Sequence, residues 1–453
     1  MLTPSAVISA EDSFRTQARP RRTGLALQRP AGLEAFRRPD PSEDVWFVPR
    51  DPASLADPAR GVICPTGCRY LDAGVTLALI IGADGTSVAE VAIALDVVRR
   101  DVPDAQACLA RSFPTHTPIG VPVARTSIAD LRALHLTFTV DGERRQDASI
   151  ADMVVDPEVL VASIARRVPL GPGDVILTGS PPGLALDRGD GWLMPGNRLV
   201  AEVPGIGVLE TMVVPETGST LPLSPALPGE LTVGSGRVFV TGTNFRSHVD
   251  EMGSSVPPVP TANLMKLPHA LCASDDEITL PPAAFVDYEG EIAIVIGTNA
   301  RSVDPADAER VIAGLCLAND VSSRDAPTTH LLLAKNGRGF GPLGPIVPVE
   351  RLDLDNVSFT VSVNGETRQL ADTRDMVHSI REIVASYSAA LPLRAGDVIL
   401  TGSPSGVGAA RHPPVFLGDG DTVVVESPEL GTLSNRFVAS PPAIADPSGT
   451  EAA

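Results

Sequence analysis

Gly173-Asp-Val-Ile-Leu-Thr-Gly-Ser-Pro-Pro-Gly183 returns 223 positions later as Gly396-Asp-Val-Ile-Leu-Thr-Gly-Ser-Pro-Ser-Gly406. The same offset carries Asp141-Gly-Glu143 onto Asn364-Gly-Glu366 and Asp152-Met153 onto Asp375-Met376, so three matches share one diagonal. An offset of 224 carries Leu95-Asp-Val-Val-Arg-Arg-Asp-Val-Pro103 onto Asn319-Asp-Val-Ser-Ser-Arg-Asp-Ala-Pro327. Self-similarity at a fixed period sets the architecture before any single element does. The chain reads as two copies of one domain, over 23–214 and 231–440, each of an ordinary domain size. Between them, 215–230 is rich in proline and small polar residues and reads as a linker. Residues 1–22 and 441–453 read as flexible tails.

Outward from the repeat, each copy is built of short strands. The spacing predicts strands over 357–363, closed by an Asn-Gly turn, and over 397–400, followed by a Gly/Pro loop. Apolar residues at helical spacing predict helices over 305–315, with Asp304 as N-cap, and over 376–391. With only 4% aromatic residues, the cores should be built mainly of Val, Leu, Ile and Ala.

Composition bounds the function. The 453 residues carry 55 acidic and 36 basic side chains, a net charge of -19, which argues against nucleic acid or an anionic membrane as partner. Residues 1–22 contain four arginines but no apolar signal core, and no stretch reaches the length of a membrane span, which predicts a cytoplasmic protein. Five cysteines, an odd and sparse set, fit reduced thiols. Cys64 and Cys68 have no second Cys or His pair nearby and read as structural.

The chemistry concentrates in Phe285-Val-Asp-Tyr-Glu-Gly-Glu-Ile-Ala-Ile-Val-Ile-Gly297. Glu289 and Glu291 stand two apart at the mouth of an apolar run, on one face of a strand start. Two acids in solvent at a strand end is the plain alternative. Buried, they demand a compensating cation, and hard oxygens select Mg²⁺ or Mn²⁺. The first copy decides between these readings. Where the second has Asp287-Tyr-Glu-Gly-Glu291, the first has Asp72-Ala-Gly-Val-Thr76, and the apolar strand survives as Leu77 to Ile81. Loss of both carboxylates together fits loss of a cation site. Asp320 supplies a third hard ligand, although Asp96 keeps that acid in the first copy.

Further candidates lie around this set. His248 and Glu251, three apart in Thr241-Gly-Thr-Asn-Phe-Arg-Ser-His-Val-Asp-Glu251, would share a helical face as an acid/base pair, and no histidine stands at the matching place of the first copy. Lys335 precedes the glycine-rich Asn336-Gly-Arg-Gly-Phe-Gly341, and Arg111 holds its place in the first copy. That loop lacks the lysine and hydroxyl of a phosphate-binding loop. Thr401 to Gly408, present in both copies, reads mainly as a structural turn.

These motifs together resemble the fumarylacetoacetate hydrolase family. The likeness runs in order through Gly242 to His248, Asp287 to Glu291, Asn319 to Asp325, Ala334-Lys335, Thr401 to Gly408 and Gly431 to Asn435. It implies an α+β, β-rich mixed fold of the family's type, here as two tandem copies forming a pseudo-dimer. It also implies a Mg²⁺ or Mn²⁺ site on Glu289, Glu291 and Asp320. The catalytic residues would be the His248–Glu251 dyad and Lys335, with Phe245, Arg324 and Thr401 at substrate-contacting positions. Pro327 stands where several members have a glutamine, so distal polar contacts should differ. Members are C–C hydrolases, decarboxylases or isomerases of 2-oxo acids and 1,3-dicarbonyls. Two fused copies, one degenerate, resemble the family's bifunctional decarboxylase/isomerases of aromatic catabolism. The expected activity is thus a metal-dependent decarboxylase/isomerase of a 2-oxo or 2-hydroxy-dienoic dicarboxylate. A C–C hydrolase and a non-catalytic scaffold are the alternatives. The expected partners are a small oxo-acid and the chain's own second half, with further homo-oligomerisation left open.

Overall fold

A computed structural model describes residues 2, 4–11, 13–14, 46–103, 106–217, 236–262, 264–282, 284–325 and 331–440. Pro327, most of the expected linker and the expected C-terminal tail lie outside these. Each copy has a six-stranded sheet. In the first, the order is β2-β1-β6-β3-β4-β5, with β1 Val7–Glu11, β2 Trp46–Arg50, β3 Leu71–Ile81, β4 Val88–Arg99, β5 Val123–Ala124 and β6 Val175–Leu177. In the second it is β8-β7-β12-β9-β10-β11, with β7 Val238–Val240, β8 Leu264–Lys266, β9 Gly290–Ile296, β10 Ile312–Asn319, β11 Val347–Pro348 and β12 Val398–Leu400. The strand order is the same position for position. So is the register. Val7 pairs with Val175 as Val238 pairs with Val398, in parallel, and both central hairpins slip after the same place, at Ile80/Ile81 and Val295/Ile296.

The hydrophobic residues explain these positions. Every residue of β3 and β9 is buried, as expected for central strands covered on both faces, and Ile, Val and Leu suit the pleat. Each copy adds a five-stranded sheet in which His135–Val140 pairs with Glu143–Ser149 and Ser358–Val363 with Glu366–Asp372. Their hairpins turn through Asp141-Gly142 and Asn364-Gly365, all at positive φ, which asparagine, aspartate and glycine tolerate.

The structure corrects three expectations. Val7–Glu11 is not tail but strand β1, fastened where Ser5 and Ala6 donate to Asp174, so the first copy begins well before residue 23. The helix expected over 305–315 is only a 3₁₀ turn, Pro305–Val311. Asp304 caps it through Ala306 N–H as predicted, but from Ile312 the chain pairs with β9 instead. The helix expected over 376–391 is Ile380–Ala390, started by a Ser379/Glu382 capping box.

The two halves are packed as a pseudo-dimer with an apolar seam. Val238, Leu264, Leu332 and Leu333 of the second copy join the core of Ile8, Phe47 and Leu77, while Val48, Leu109 and Phe113 of the first join the core of Ile292 and Phe359. Polar ties cross as well. Arg237 and Arg394 both pair with Asp51, Gln106 donates to Pro260 O and Ser386, and Arg167 pairs with Asp325. All five cysteines are free thiols, and among the described residues no helix is long and apolar enough to cross a membrane.

Candidate functional site

The hairpin of β9 and β10 brings three acids together. Gly290 faces Asn319 across it, so Glu289 and Glu291 on one strand meet Asp320 just past the other. Two hydrogen bonds lock the junction: Asp320 N–H donates to Glu289 O at 2.8 Å, and Glu289 N–H to Asn319 Oδ1 at 2.9 Å. One carboxylate oxygen from each acid lies within 4.8 Å of the others, and all three side chains are buried. Glu291 also accepts from Gly402 N–H at 2.7 Å. Gly402, at φ +90, has to be glycine, because a Cβ there would lie 2.3 Å from Gly242 O.

Cations surround the triad. Lys335, the last residue of Leu331–Lys335, places Nζ 2.8 Å from Glu289 Oε2 and also against Asp320 Oδ2. Burial opposes its charge, but Asp320 and Glu289 outweigh that and hold its pKa above the usual lysine range. For Glu289, too, burial is outweighed, by Lys335 and Arg324, and its pKa falls. Glu291 goes the other way. Burial and the neighbouring Asp320 push its carboxyl well above the usual range, and a positive charge beside it would favour the ionised form. Three buried hard oxygen donors, one of them short of compensating charge, fit a Mg²⁺- or Mn²⁺-sized cation.

The expected dyad is present on α1, Arg246–Met252. His248 Nδ1 lies 2.9 Å from Glu251 Oε2, and Glu251 Oε1 accepts from Gly406 N–H at 2.8 Å. His248 stands close enough to the acids to act electrostatically on Glu289. Ser247 donates to Asp375 and Arg246 to Met376 O, which seats the helix over the site.

Three sequence-predicted substrate contacts have other partners. Phe245 is fully buried, edge-on to Phe359 at 6.3 Å, so it anchors the helix start in the core. Thr401 donates its hydroxyl to Ile292 O. Arg324 binds Asp287 through Nε and Nη2 and touches Glu289. Asp287 in turn accepts from Gly408 and Ala409 N–H. The first copy repeats this set, with Arg100 on Asp72 and Asp72 accepting from Ala185 and Leu186 N–H. An ion pair kept where the acids are lost serves the loop, not only the site.

Sequence reading missed Lys266, a fully buried lysine whose Nζ lies 2.6 Å from Asp320 Oδ1. A single lysine closing a short apolar strand carries no local signal.

Comparison with known proteins assigns the chain to a family. The family model "Fumarylacetoacetate (FAA) hydrolase C-terminal" matches residues 22–214 and again 237–438. A 4-hydroxyphenylacetate degradation bifunctional isomerase/decarboxylase from Escherichia coli is 31% identical over 435 residues, covering 90% of this chain and 95% of its own. A mitochondrial oxaloacetate tautomerase from Homo sapiens is 38% identical over 209 residues, 45% of this chain and 66% of its own. Among solved structures, a putative HpcE protein from Mycobacterium smegmatis aligns at 33% identity and TM-score 0.44, over 51% of this chain and 83% of its own. The chain belongs to the fumarylacetoacetate hydrolase family, with two fused copies of its domain.

Proposed function

We propose that the second copy is a divalent-cation-dependent decarboxylase/isomerase of a 2-oxo or 2-hydroxy-dienoic dicarboxylate, and that the first copy is catalytically silent. The observation that carries this reading is the buried Glu289/Glu291/Asp320 triad beside the His248–Glu251 dyad. The end-to-end likeness to a bifunctional isomerase/decarboxylase supports it. Mg²⁺ or Mn²⁺ on the triad would polarise the adjacent carboxylate and 2-oxo oxygens of the substrate, favouring enolate character as CO₂ leaves or a proton shifts.

The chain's own groups do the rest. Glu251 fixes His248 through Nδ1, which leaves Nε2 to take or return a proton at the substrate carbon. The Lys335 ammonium stabilises negative charge developing on the substrate oxygens, and burial strengthens that interaction. Arg324 keeps Nη1 for a substrate carboxylate while Nε and Nη2 hold Asp287. Decarboxylation and isomerisation share this enolate, so one site can serve both.

An NMR time course with Mn²⁺- or Mg²⁺-loaded protein, 5-oxopent-3-ene-1,2,5-tricarboxylate, 2-hydroxyhepta-2,4-diene-1,7-dioate, oxaloacetate and acylpyruvates tests this. Loss of CO₂ or a shifted double bond, abolished in Glu289→Ala, is the expected result. Carbon–carbon cleavage to two acids would replace the reading with a hydrolase, and no turnover with unchanged metal binding in Glu289→Ala would replace it with a scaffold.

A further inference from the structure

The registers place Lys266 of β8 opposite Val238 of β7, and Arg50 of β2 opposite Val7 of β1. As Val7 and Val238 hold the same place in the two sheets, Arg50 is the first copy's counterpart of Lys266. Their partners match. Lys266 Nζ reaches Asp320 Oδ1 at 2.6 Å, Lys335 O at 2.7 Å and Phe340 O at 2.6 Å. Arg50 reaches the counterpart acid Asp96, Arg111 O at 3.5 Å and His116 O at 3.3 Å. Both copies thus tie the aspartate to the following segment through a buried cation. They differ in which cation.

That difference extends to the surroundings. Arg50 spends its extra donors on Ser9 Oγ at 2.5 Å and Thr117 Oγ1 at 3.0 Å. At those registers the second copy has Val240 and Gly341, and a Cβ on Gly341 would lie 3.5 Å from the Lys266 side chain. The second copy's pocket is therefore shaped for an unbranched amine with no further donors. Each cation meets its aspartate at Oδ1, yet a guanidinium is a broad fork whose other nitrogens need acceptors of their own; Ser9 and Thr117 supply these to Arg50, whereas Val240 and Gly341 offer no side-chain oxygen beside Asp320.

Asp320 shows what the compact charge achieves. Lys266 Nζ stands against Oδ1 as an ion pair, the oxygen accepting no hydrogen bond, while Oδ2 and Glu289 Oε2 converge on one point, marked by Lys335 Nζ between them. We propose that Lys266 is a positioning residue for the metal centre: by fixing Asp320 through Oδ1 alone, it aims Oδ2 into the Glu289/Glu291 pair. The inference rests on the reading of the triad as a metal site and adds a residue to it.

The test is Mn²⁺ affinity of the full chain, followed by the EPR signal of free Mn²⁺, with thermal unfolding in EDTA recorded beside it. Wild type, Glu289→Ala, Lys266→Arg and Lys266→Arg/Val240→Ser are compared. The double variant supplies the serine partner that Arg50 has, so its fold is protected if the single variant is unstable. The expected result is at least a tenfold weaker Mn²⁺ affinity in a folded Lys266→Arg chain, not recovered by Val240→Ser even where stability is. Wild-type affinity in either folded arginine variant, with Glu289→Ala defective, would reduce Lys266 to a tie in the fold and overturn the inference while leaving the metal site standing. No Mn²⁺ binding by wild type would overturn both.

Discussion

Glu289 and Glu291 look alike in the sequence, yet the structure gives them unlike surroundings. Glu289 accepts from Lys335, Arg324 and Ser322, so Glu289→Ala leaves two buried cations short of a partner. Removing one member of a buried ion pair costs about 3–5 kcal/mol, and urea unfolding of the metal-free variant should show a loss of that size. Glu291 forms no ion pair among the described residues, and the hydrogen bond that it accepts from Gly402 N–H is one that a glutamine oxygen can accept as well. Glu291→Gln should change metal-free stability by no more than about 1 kcal/mol, yet lose the rise in Tm that Mn²⁺ gives wild type by mass action. Thermal scans with EDTA and with Mn²⁺ separate the two variants. Arg324 is the reverse case, a residue expected to bind substrate whose partner Asp287 is repeated as Arg100 on Asp72.

At the scale of elements, what α1 presents to the acids follows from where it is fastened. Glu251 spends one oxygen on His248 and the other on Gly406 N–H, so the dyad and the loop that orders Glu291 through Gly402 are one unit. Glu251→Ala should lower kcat by about 10²-fold or more, the usual worth of a positioned proton-transfer group. With the helix still held by Ser247 on Asp375 and Arg246 on Met376 O, stability should fall by only about 1 kcal/mol. Steady-state kinetics and denaturation on one preparation check both numbers. A drop in activity with a stability loss well beyond about 1 kcal/mol would mean that the helix itself had moved. The helix expected over 305–315 failed for an element-scale reason. Asp304 and Pro305 start a 3₁₀ turn as well as an α-helix, and the unpaired edge of β9 then claims Ile312 onwards.

For the whole molecule, the seam between the copies matters as much as the candidate site. Arg237 pairs with Asp397 of its own copy and Asp51 of the other, and Arg237→Ala should destabilise the chain by about 3–5 kcal/mol, visible as a lower urea midpoint. The first copy should add no metal. Isothermal titration should count one Mn²⁺ per chain. Gly74→Glu/Thr76→Glu should still count one, because Ser180 and Leu184 crowd the Gly74 position and Arg50 holds Asp96. A second Mn²⁺ in that variant would show that only the two carboxylates had been lost.

Sequence alone determined the duplication, the asymmetry between copies, the three acids and the dyad. Each of these is legible at short range: Glu289 and Glu291 share a strand face at a spacing of two, His248 and Glu251 a helical face at three, and the repeat is a comparison of the chain with itself. Only the tertiary structure decided the rest. Lys266 meets Asp320, Phe245 turns into the core, Thr401 is tied to Ile292 O, and Val7–Glu11 joins a sheet, all through pairings remote along the chain. Sheet register sets those meetings, and a register is the outcome of burying two faces at once, which no local pattern encodes.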